Sequence, residues 1–89
     1  MRKINASAPA EKFLRRVPPK HGRQLRAKIL ALASDPNPPD SKPLKGYPYL
    51  RADSGEYRII YQFDDDTLFI FAVGKRNDDE VYRRLRRKE

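Results

Sequence analysis

The stretch from Gly55 to Tyr82 constrains the fold of this chain most strongly, because it reads as two apolar strands joined by an acidic turn. Residues 57–63 alternate between two faces with the period of a pleated strand. Residues 64–66 are three aspartates, which favour a turn. Residues 67–73 are apolar at nearly every position, which predicts a strand covered on both faces. Such a hairpin cannot bury itself, so the rest of the chain must cover it.

Two helices are predicted to supply that cover. The first begins near Ser7, which is expected to be its N-cap, carries Pro9 in its first turn, and ends at the prolines of residues 18–19. The second runs from about residue 20 to residue 34 and has an apolar stripe on one side. Because so few residues separate them, we expect an antiparallel helical hairpin.

The remaining segments complete an α+β prediction. A short N-terminal strand is expected within residues 2–7, and a strand over residues 47–52 is expected to turn through residues 53–55 into the central strand. A basic helix is predicted over residues 78–88. We therefore expect one domain over residues 1–89, with the helical hairpin packed on an antiparallel β-sheet and a short C-terminal helix.

Charge points to a polyanionic partner. The net charge is +8, and residues 1–46 carry all of the excess, with 11 basic and three acidic side chains. The chain has no cysteine, which excludes disulfides and thiolate metal sites. It also has no run long enough to span a membrane and no recognisable signal peptide. These features predict a soluble, cytoplasmic protein, although a merely soluble basic surface would explain the charge as well.

The candidate chemistry rests on cations near the open end of the hairpin. Arg58 begins the first strand and Arg76 follows the second, so the two side chains are expected to lie close together. Arg51 is predicted on the neighbouring strand, with Lys45 and Lys75 nearby. Guanidinium groups bind phosphate oxygens and stabilise charge during phosphoryl transfer. RNA supplies its own nucleophile, the 2′-OH, and Tyr82 is the candidate for moving a proton.

Structural explanations of the same residues stay open. An arginine in a strand is often a surface residue or an ion-pair partner, and Asp53 or Glu56 is available to pair with Arg58. His21, the only histidine, is not favoured as a catalytic group. The carboxylates of residues 64–66 are more typical of a solvated turn than of a cation site, so neither a metal nor a cofactor is predicted.

Several motifs resemble the RelE/ParE superfamily of type II toxin–antitoxin systems. The stretches that carry the resemblance are Leu44-Lys45-Gly46, Gly55-Glu56-Tyr57-Arg58-Ile59-Ile60-Tyr61, and Val73-Gly74-Lys75-Arg76 followed by Val81-Tyr82. The order of strand, two helices and several strands is similar to the fold of that superfamily. The resemblance is closer to the RelE-like branch, whose members cut mRNA on the ribosome, than to the ParE-like branch, whose members poison DNA gyrase.

The resemblance implies a metal-independent endoribonuclease that cleaves mRNA by 2′-OH attack, inhibits translation, and has a cognate antitoxin. The residues it implies as catalytic are Arg51, Arg58, Arg76 and Tyr82. The residues expected to bind RNA are Lys45, Lys75, Lys20, Arg23, Arg26 and Lys28. The chain differs from some relatives in having one arginine, Arg51, where they carry two lysines, and from others in lacking a late histidine. A ParE-like gyrase inhibitor and a non-catalytic RNA-binding module remain the alternatives.

Overall fold

A computed structural model describes residues 1–76 of the chain. This part contains two helices and five strands, whose order along the chain is β, α, α, β, β, β, β. Their bounds are β1 Lys3–Ala6, α1 Ala8–Arg16, α2 Pro19–Ser34, β2 Lys42–Pro43, β3 Leu50–Ser54, β4 Tyr57–Phe63 and β5 Thr67–Lys75. Neither helix is long and apolar enough to cross a membrane within these residues. The predicted helix at 78–88 lies outside the described residues.

The five strands form one mixed sheet in the order β1-β5-β4-β3-β2. Strands β2 to β5 pair antiparallel, as predicted, whereas β1 runs parallel to β5. The α+β class is therefore confirmed, and the expectation of a wholly antiparallel sheet is corrected at one edge. β1 is held at its start by the Lys3 N–H, which donates to the Asp66 carbonyl, and at its end by the Ser7 N–H, which donates to the Ile70 carbonyl. Nothing in the four residues of β1 indicates that the strand runs parallel to β5.

Both helices begin and end close to the predicted positions. The Ser7 hydroxyl accepts a hydrogen bond from the Ala10 N–H and so caps α1, as predicted. The same hydroxyl donates to the Phe71 carbonyl at 2.6 Å, which ties the start of α1 to β5. Only residues 17–18 separate the two helices, because a proline fits the first turn of α2 but not the interior of α1.

The two faces of the sheet are covered by different residues. The main core lies between the helices and one face, where Leu25, Ile29 and Leu32 of α2 pack with alternate residues of β4 such as Ile59 and Tyr61. A smaller cluster on the other face contains Leu44, Ile60 and Ala72, with Tyr47, Tyr49 and Phe71 packed against it. We call this second side the open face, because neither helix covers it. Strand β5 contributes to both clusters, which confirms its prediction as a strand buried on both faces.

A bulge in β5 changes which of its residues face the helices. Ile60 pairs with Ala72 whereas Tyr61 pairs with Ile70, so Phe71 is the extra residue. The alternation therefore shifts by one position after Ile70. As a result Gly74, and not a residue with a side chain, stands opposite Arg58.

The two hairpin turns differ in how well their positions were predicted. At the acidic turn, Asp64 Oδ1 accepts the backbone N–H groups of Asp66 and Thr67 at 2.9 and 2.8 Å, as an aspartate at a turn commonly does. The other turn was predicted over residues 53–55 but consists of residues 55–56 alone. Gly55 has a φ of +60°, which permits a two-residue hairpin connection.

This tight turn corrects the predicted strand over residues 47–52, because Asp53 and Ser54 remain within β3. The strand also starts later than predicted, at Leu50. The preceding residues close a loop in which the Leu44 N–H donates to the Tyr49 carbonyl and the Tyr47 N–H donates to the Leu44 carbonyl. The strand β2 before that loop was not predicted.

Candidate functional site

A cluster of charged side chains occupies the open face at the end of the sheet nearest the two-residue turn. Asp53 of β3 lies directly opposite Arg58 of β4. The Arg58 Nε donates to Asp53 Oδ1 at 2.9 Å, and Arg58 Nη2 donates to Oδ2 at 3.5 Å. Arg76, just after β5, places its Nη1 3.8 Å from the same Oδ2. The expectation that Arg58 and Arg76 lie close together is therefore confirmed, and one carboxylate joins them.

Arg51 belongs to the same cluster. It lies two residues before Asp53 on β3, so its side chain is directed to the same face. Its cross-strand neighbours are Ile60 on one side and Lys42 on the other. Because directly paired residues share a face, Lys42 adds a further cation beside Arg51. Sequence reasoning missed Lys42, since nothing in residues 42–43 indicates a strand.

The charges around Asp53 keep its carboxyl ionised. The hydrogen bond from Arg58 is the largest influence and lowers the pKa of Asp53 below its usual value. Partial burial acts in the opposite direction, while the charges of Arg58, Arg51 and Arg76 lower the pKa further. Three arginines against one aspartate leave two positive charges in the cluster, which we call the arginine cluster (Arg51, Arg58, Arg76 and Asp53).

The backbone explains why these side chains meet. A two-residue turn places Asp53 across from Arg58, and a longer turn would have removed it from the ladder. Gly74 lies on the other side of Arg58 and has no side chain to occupy the space above it. The Arg76 N–H donates to the Glu56 carbonyl at 3.0 Å, which holds the chain next to the turn as it leaves β5.

The cluster is suited to binding an anion with several oxygens. The Arg58 side chain is 16% exposed and oriented by Asp53, whereas the Arg76 side chain is 49% exposed and makes only a long contact with that carboxylate. A guanidinium group held in one orientation recognises phosphate oxygens geometrically, and two or three such groups stabilise added negative charge. Asp53 was foreseen only as one possible partner of Arg58. The two-residue spacing of Arg51 and Asp53 in the sequence could have predicted that their side chains lie on the same face of the strand.

Within residues 1–76, none of the other basic residues predicted to bind RNA forms an ion pair with Asp53. Lys75 pairs with Tyr57, whose face is the one that the helices cover. Lys20, Arg23 and Arg26 are exposed on α2, on the helix side of the sheet. Lys28 donates to Asp40 at 2.7 Å, so part of its charge is already neutralised. Lys45 is exposed in the loop before β3.

The helix side of the sheet has a cavity of its own, of about 700 Å³. Its lining includes Lys12, Lys75 and His21. The Nδ1 atom of His21 lies 2.7 Å from the Tyr57 hydroxyl, and the two rings meet edge to face. Sequence reasoning missed this contact, because 36 residues separate its partners. His21 therefore has a structural partner and lies on the other side of the sheet from the arginine cluster.

Tyr82, the candidate for proton transfer, lies outside the described residues. Within residues 1–76, no three His, Asp or Glu side chains are grouped so as to hold a metal ion. The three aspartates of the acidic turn instead contribute Asp64 as an acceptor for backbone N–H groups.

Comparison with known proteins places this geometry in context. A family model described as "ParE toxin of type II toxin-antitoxin system, parDE" matches residues 4–80. No curated protein sequence matches the chain.

Several solved structures are similar over most of their length. A RelE toxin mutant from E. coli in the free state has a TM-score of 0.77 and 26% identity, covering 98% of this chain and 96% of that one. The isolated E. coli RelE toxin has a TM-score of 0.74 and 25% identity, covering 99% and 98%. The toxin–antitoxin complex RelBE2 from Mycobacterium tuberculosis has a TM-score of 0.74 and 25% identity, covering 84% and 98%.

Proposed function

Since the chain belongs to the ParE toxin family of type II toxin–antitoxin systems, we propose that it acts as a ribosome-dependent mRNA endonuclease. The observation that carries this proposal is the arginine cluster, in which Arg51, Arg58 and Arg76 surround one carboxylate on the open face. Similarity to RelE toxins over nearly the whole chain supports it. The whole chain, residues 1–89, would form one toxin domain acting in the cytoplasm.

In the proposed reaction the substrate provides the nucleophile. The 2′-oxygen of one nucleotide attacks the adjacent phosphorus, the bond to the 5′-oxygen of the next nucleotide breaks, and a 2′,3′-cyclic phosphate and a 5′-hydroxyl result. The proton of the 2′-OH passes to a base, for which Tyr82 is our candidate, and the leaving oxygen takes up a proton. Arg58 and Arg76 stabilise the charge that grows on the phosphate oxygens, with Arg51 as a third contact. The stoichiometry requires no metal or cofactor.

Asp53 has a positioning role in this scheme. Its carboxylate holds the Nε edge of Arg58, which fixes the plane of the guanidinium group before substrate arrives. The longer contact with Arg76 breaks more easily, so that Arg76 can exchange Asp53 for a phosphate oxygen.

Substitution of the arginines tests the proposal. We expect Arg58→Ala and Arg76→Ala each to reduce mRNA cleavage on ribosomes by about 10²–10³-fold, the loss typical of one charge stabiliser. Arg58→Lys keeps the charge and loses the planar fork, so it should recover only part of the rate. Arg15→Ala, an exposed arginine of α1, is the matched control and should cleave like the wild type.

Primer extension on mRNA after induction gives the cleavage sites, and circular dichroism shows whether each variant is folded. Tyr82→Phe keeps the aromatic ring and removes the hydroxyl, so a large single-turnover defect would support proton transfer by Tyr82. Wild-type cleavage rates in both folded alanine variants would eliminate the nuclease proposal.

Gyrase inhibition is the second candidate function. It is favoured by the description of the matching family as ParE. A gyrase inhibitor needs no catalytic arginines, and the ion pairing of Arg58 and Arg76 with Asp53 is consistent with a purely structural role for both residues. Induction would then yield cleaved DNA and leave mRNA intact. A non-catalytic RNA-binding module would yield neither product.

The exposed basic surface of α2 is our candidate for contact with ribosomal RNA. Each phosphate contact releases counterions, so ribosome binding should weaken steeply as salt rises. Arg23→Glu combined with Arg26→Glu should weaken co-sedimentation with ribosomes without unfolding the chain. Lys28→Ala is a useful comparison, because Lys28 already pairs with Asp40 and should contribute less. Unchanged co-sedimentation of the folded double variant would contradict this role of α2.

We also propose a cognate antitoxin with acidic character, because similar toxins from M. tuberculosis and Pyrococcus horikoshii were solved as complexes with antitoxins. A disordered acidic segment would order on contact with a toxin of charge +8. Its expected targets are the basic helical surface and the arginine-rich residues 83–88. A complex in which the antitoxin touches neither surface would contradict this expectation.

A further inference from the structure

Strand β2 extends the basic end of the open face beyond the arginine cluster. Lys42 of β2 lies directly opposite Arg51 of β3, at the edge of the sheet that the described strands form. Directly paired residues present their side chains on the same face, with Cβ atoms about 4.5–5.5 Å apart. Lys42 is exposed, so a fourth cation lies beside the three arginines at the surface of this face.

The local sequence holds Lys42 in a strand conformation. Pro43 follows it directly, and the residue before a proline is confined to extended backbone because the proline ring clashes with it in the helical region. The Leu44 N–H donates to the Tyr49 carbonyl at 2.9 Å, which continues the pairing with the segment before β3 past the proline. The backbone therefore fixes the face of the sheet on which the Lys42 side chain lies.

The carboxylates next to Lys42 and Arg51 in sequence are paired with other cations. Asp40, two residues before Lys42, accepts from Lys28 of α2 at 2.7 Å. Asp53 belongs to the arginine cluster, where it accepts from Arg58 at 2.9 Å. Adding Lys42 to that cluster gives four cations against one carboxylate, an excess of three positive charges. One phosphodiester group carries a single negative charge, so this set of cations is able to hold more than one of them.

The cations form a row that crosses the strands obliquely. Arg51 is a diagonal neighbour of Arg58, because it lies two residues from the directly paired Asp53, and such neighbours are about 7–8 Å apart. Lys42 lies one strand further on, so that β2 is about 10 Å from β4 across the sheet. A stacked nucleic-acid strand carries one phosphate per about 3.4 Å of its axis, so the distance from β4 to β2 spans up to about three nucleotides.

We propose that Lys42 binds a second backbone phosphate of the RNA, so that the substrate strand crosses the open face from β4 towards β2. The scissile phosphate lies at Arg58 and Arg76, and the phosphate at Lys42 lies within about three nucleotides of it. The inference rests on the proposed nuclease function for its substrate, and it deepens that function by giving the path of the strand. Lysine binds phosphate as a point charge, which suits a contact that holds the strand and takes no part in the bond change.

The salt dependence of binding counts phosphate contacts and tests Lys42 without cleavage. The probe is a short single-stranded deoxyribonucleotide with a terminal fluorophore, which lacks the attacking 2′-OH, and anisotropy measures its affinity for the full chain at several salt concentrations. Each contact with a single strand contributes about 0.7 to the slope of log affinity against log salt. The advantage of wild type over Lys42→Ala should therefore shrink about fivefold for each tenfold rise in salt. Lys42→Arg keeps the charge and should keep the wild-type slope.

Lys3→Ala is the matched control for this measurement. Lys3 is an exposed lysine of β1, at the opposite edge of the same sheet, and its loss changes the net charge by the same amount. Its slope should equal that of the wild type. Lysine and proline at a sheet edge also prevent pairing with another chain, and if Lys42 has only that role, Lys42→Ala should self-associate with an unchanged slope. An unchanged slope in folded Lys42→Ala, or an equal reduction in Lys3→Ala, would overturn the proposal.

A second measurement locates the phosphate that Lys42 contacts. Uncharged methylphosphonate groups replace the phosphates of the probe one at a time. At the contacted position, the replacement should weaken binding of the wild type and leave binding of Lys42→Ala unchanged, as a double-mutant cycle would show. The same cycle with Arg76→Ala should identify a different phosphate, within about three nucleotides of the first. The strand path would be wrong if no position were coupled to Lys42, or if one phosphate were coupled to both residues.

The outcomes also distinguish the strand path from the nuclease proposal. A phosphate coupled to Lys42, together with intact mRNA on ribosomes, would support the path and reject the nuclease. Ribosomal cleavage that requires Arg58 and Arg76, with a wild-type salt slope in Lys42→Ala, would reject the path alone. If both proposals hold, Lys42→Ala should need more toxin for half-maximal cleavage and keep its single-turnover rate at saturation. Failure of the wild type to bind any probe would reject the path, and the arginine variants would then decide the nuclease proposal.

Discussion

Replacement of Asp53 by asparagine perturbs the arginine cluster at its centre while changing almost no volume. The wild-type carboxylate accepts from Arg58 at 2.9 Å and lies 3.8 Å from Arg76. Asparagine keeps one acceptor oxygen and removes the charge, so Arg58 and Arg76 lose the carboxylate that both of them contact. We expect the protein to fold and to be less stable than the wild type.

The expected loss of stability in Asp53→Asn depends on how exposed the ion pair between Asp53 and Arg58 is. Hydrogen bonds to charged groups contribute about 1.5–3 kcal/mol, whereas fully exposed ion pairs contribute about 0–1 kcal/mol. The Arg58 and Asp53 side chains are 16% and 33% exposed, which places them between these cases. We therefore expect Asp53→Asn to lower the free energy of unfolding by about 1–2 kcal/mol. For a domain of this size the melting temperature should fall by roughly 5–15 °C.

The direction of the Asp53 pKa shift determines how the stability difference between wild type and Asp53→Asn changes with pH. The folded-state pKa of Asp53 is depressed, mainly by the hydrogen bond from Arg58, relative to an unfolded value of about 3.9. The stabilisation by the ionised carboxylate is therefore fully present above the unfolded pKa and is lost as pH falls through the folded pKa. The difference between wild type and Asp53→Asn should be constant from pH 7 to about pH 5 and should shrink below pH 4.

Urea denaturation followed by circular dichroism at several pH values measures this difference. Asp40→Asn is the matched control, because Asp40 pairs with Lys28 at 2.7 Å but its side chain is 51% exposed, and its loss should be smaller. A double-mutant cycle with Arg58→Ala isolates the pairwise energy. Equal stability of Asp53→Asn and wild type at pH 7, or a difference that persists undiminished at pH 2, would refute the reasoning.

Three further stability predictions rest on single contacts and are checked by urea or thermal unfolding. Tyr61→Phe should cost about 1–3 kcal/mol, because the buried Tyr61 hydroxyl donates to the Pro36 carbonyl at 2.7 Å and that acceptor would be left unsatisfied. Ser7→Ala should cost about 1 kcal/mol or more through loss of the cap to the Ala10 N–H; an unchanged midpoint would exclude the cap as a contributor. Gly55→Ala should cost about 1–2 kcal/mol, because φ is +60° there.

Much of the fold and part of the site could be predicted from local patterns. The alternation over residues 57–63, the aspartates of the acidic turn and the Ser7 cap each depend on neighbours in sequence, and the structure has them at the predicted positions. The closeness of Arg58 and Arg76 was also predictable, because any antiparallel hairpin brings the start of one strand to the end of the next. The catalytic roles of these arginines and of Tyr82 stay predictions.

Contacts between distant segments were decided only by the tertiary structure. The direction of β1 depends on its pairing with β5, which is far from it in sequence. The extra residue Phe71 in β5 and the pairing of Lys42 with Arg51 depend on the register between neighbouring strands, which no local pattern fixes. The length of the turn at Gly55 could not be predicted from the sequence either, because glycine permits several turn types and only the register between β3 and β4 selects one of them. That register places Asp53 against Arg58, so a shift of a single residue would have separated the arginines from the carboxylate that orients them.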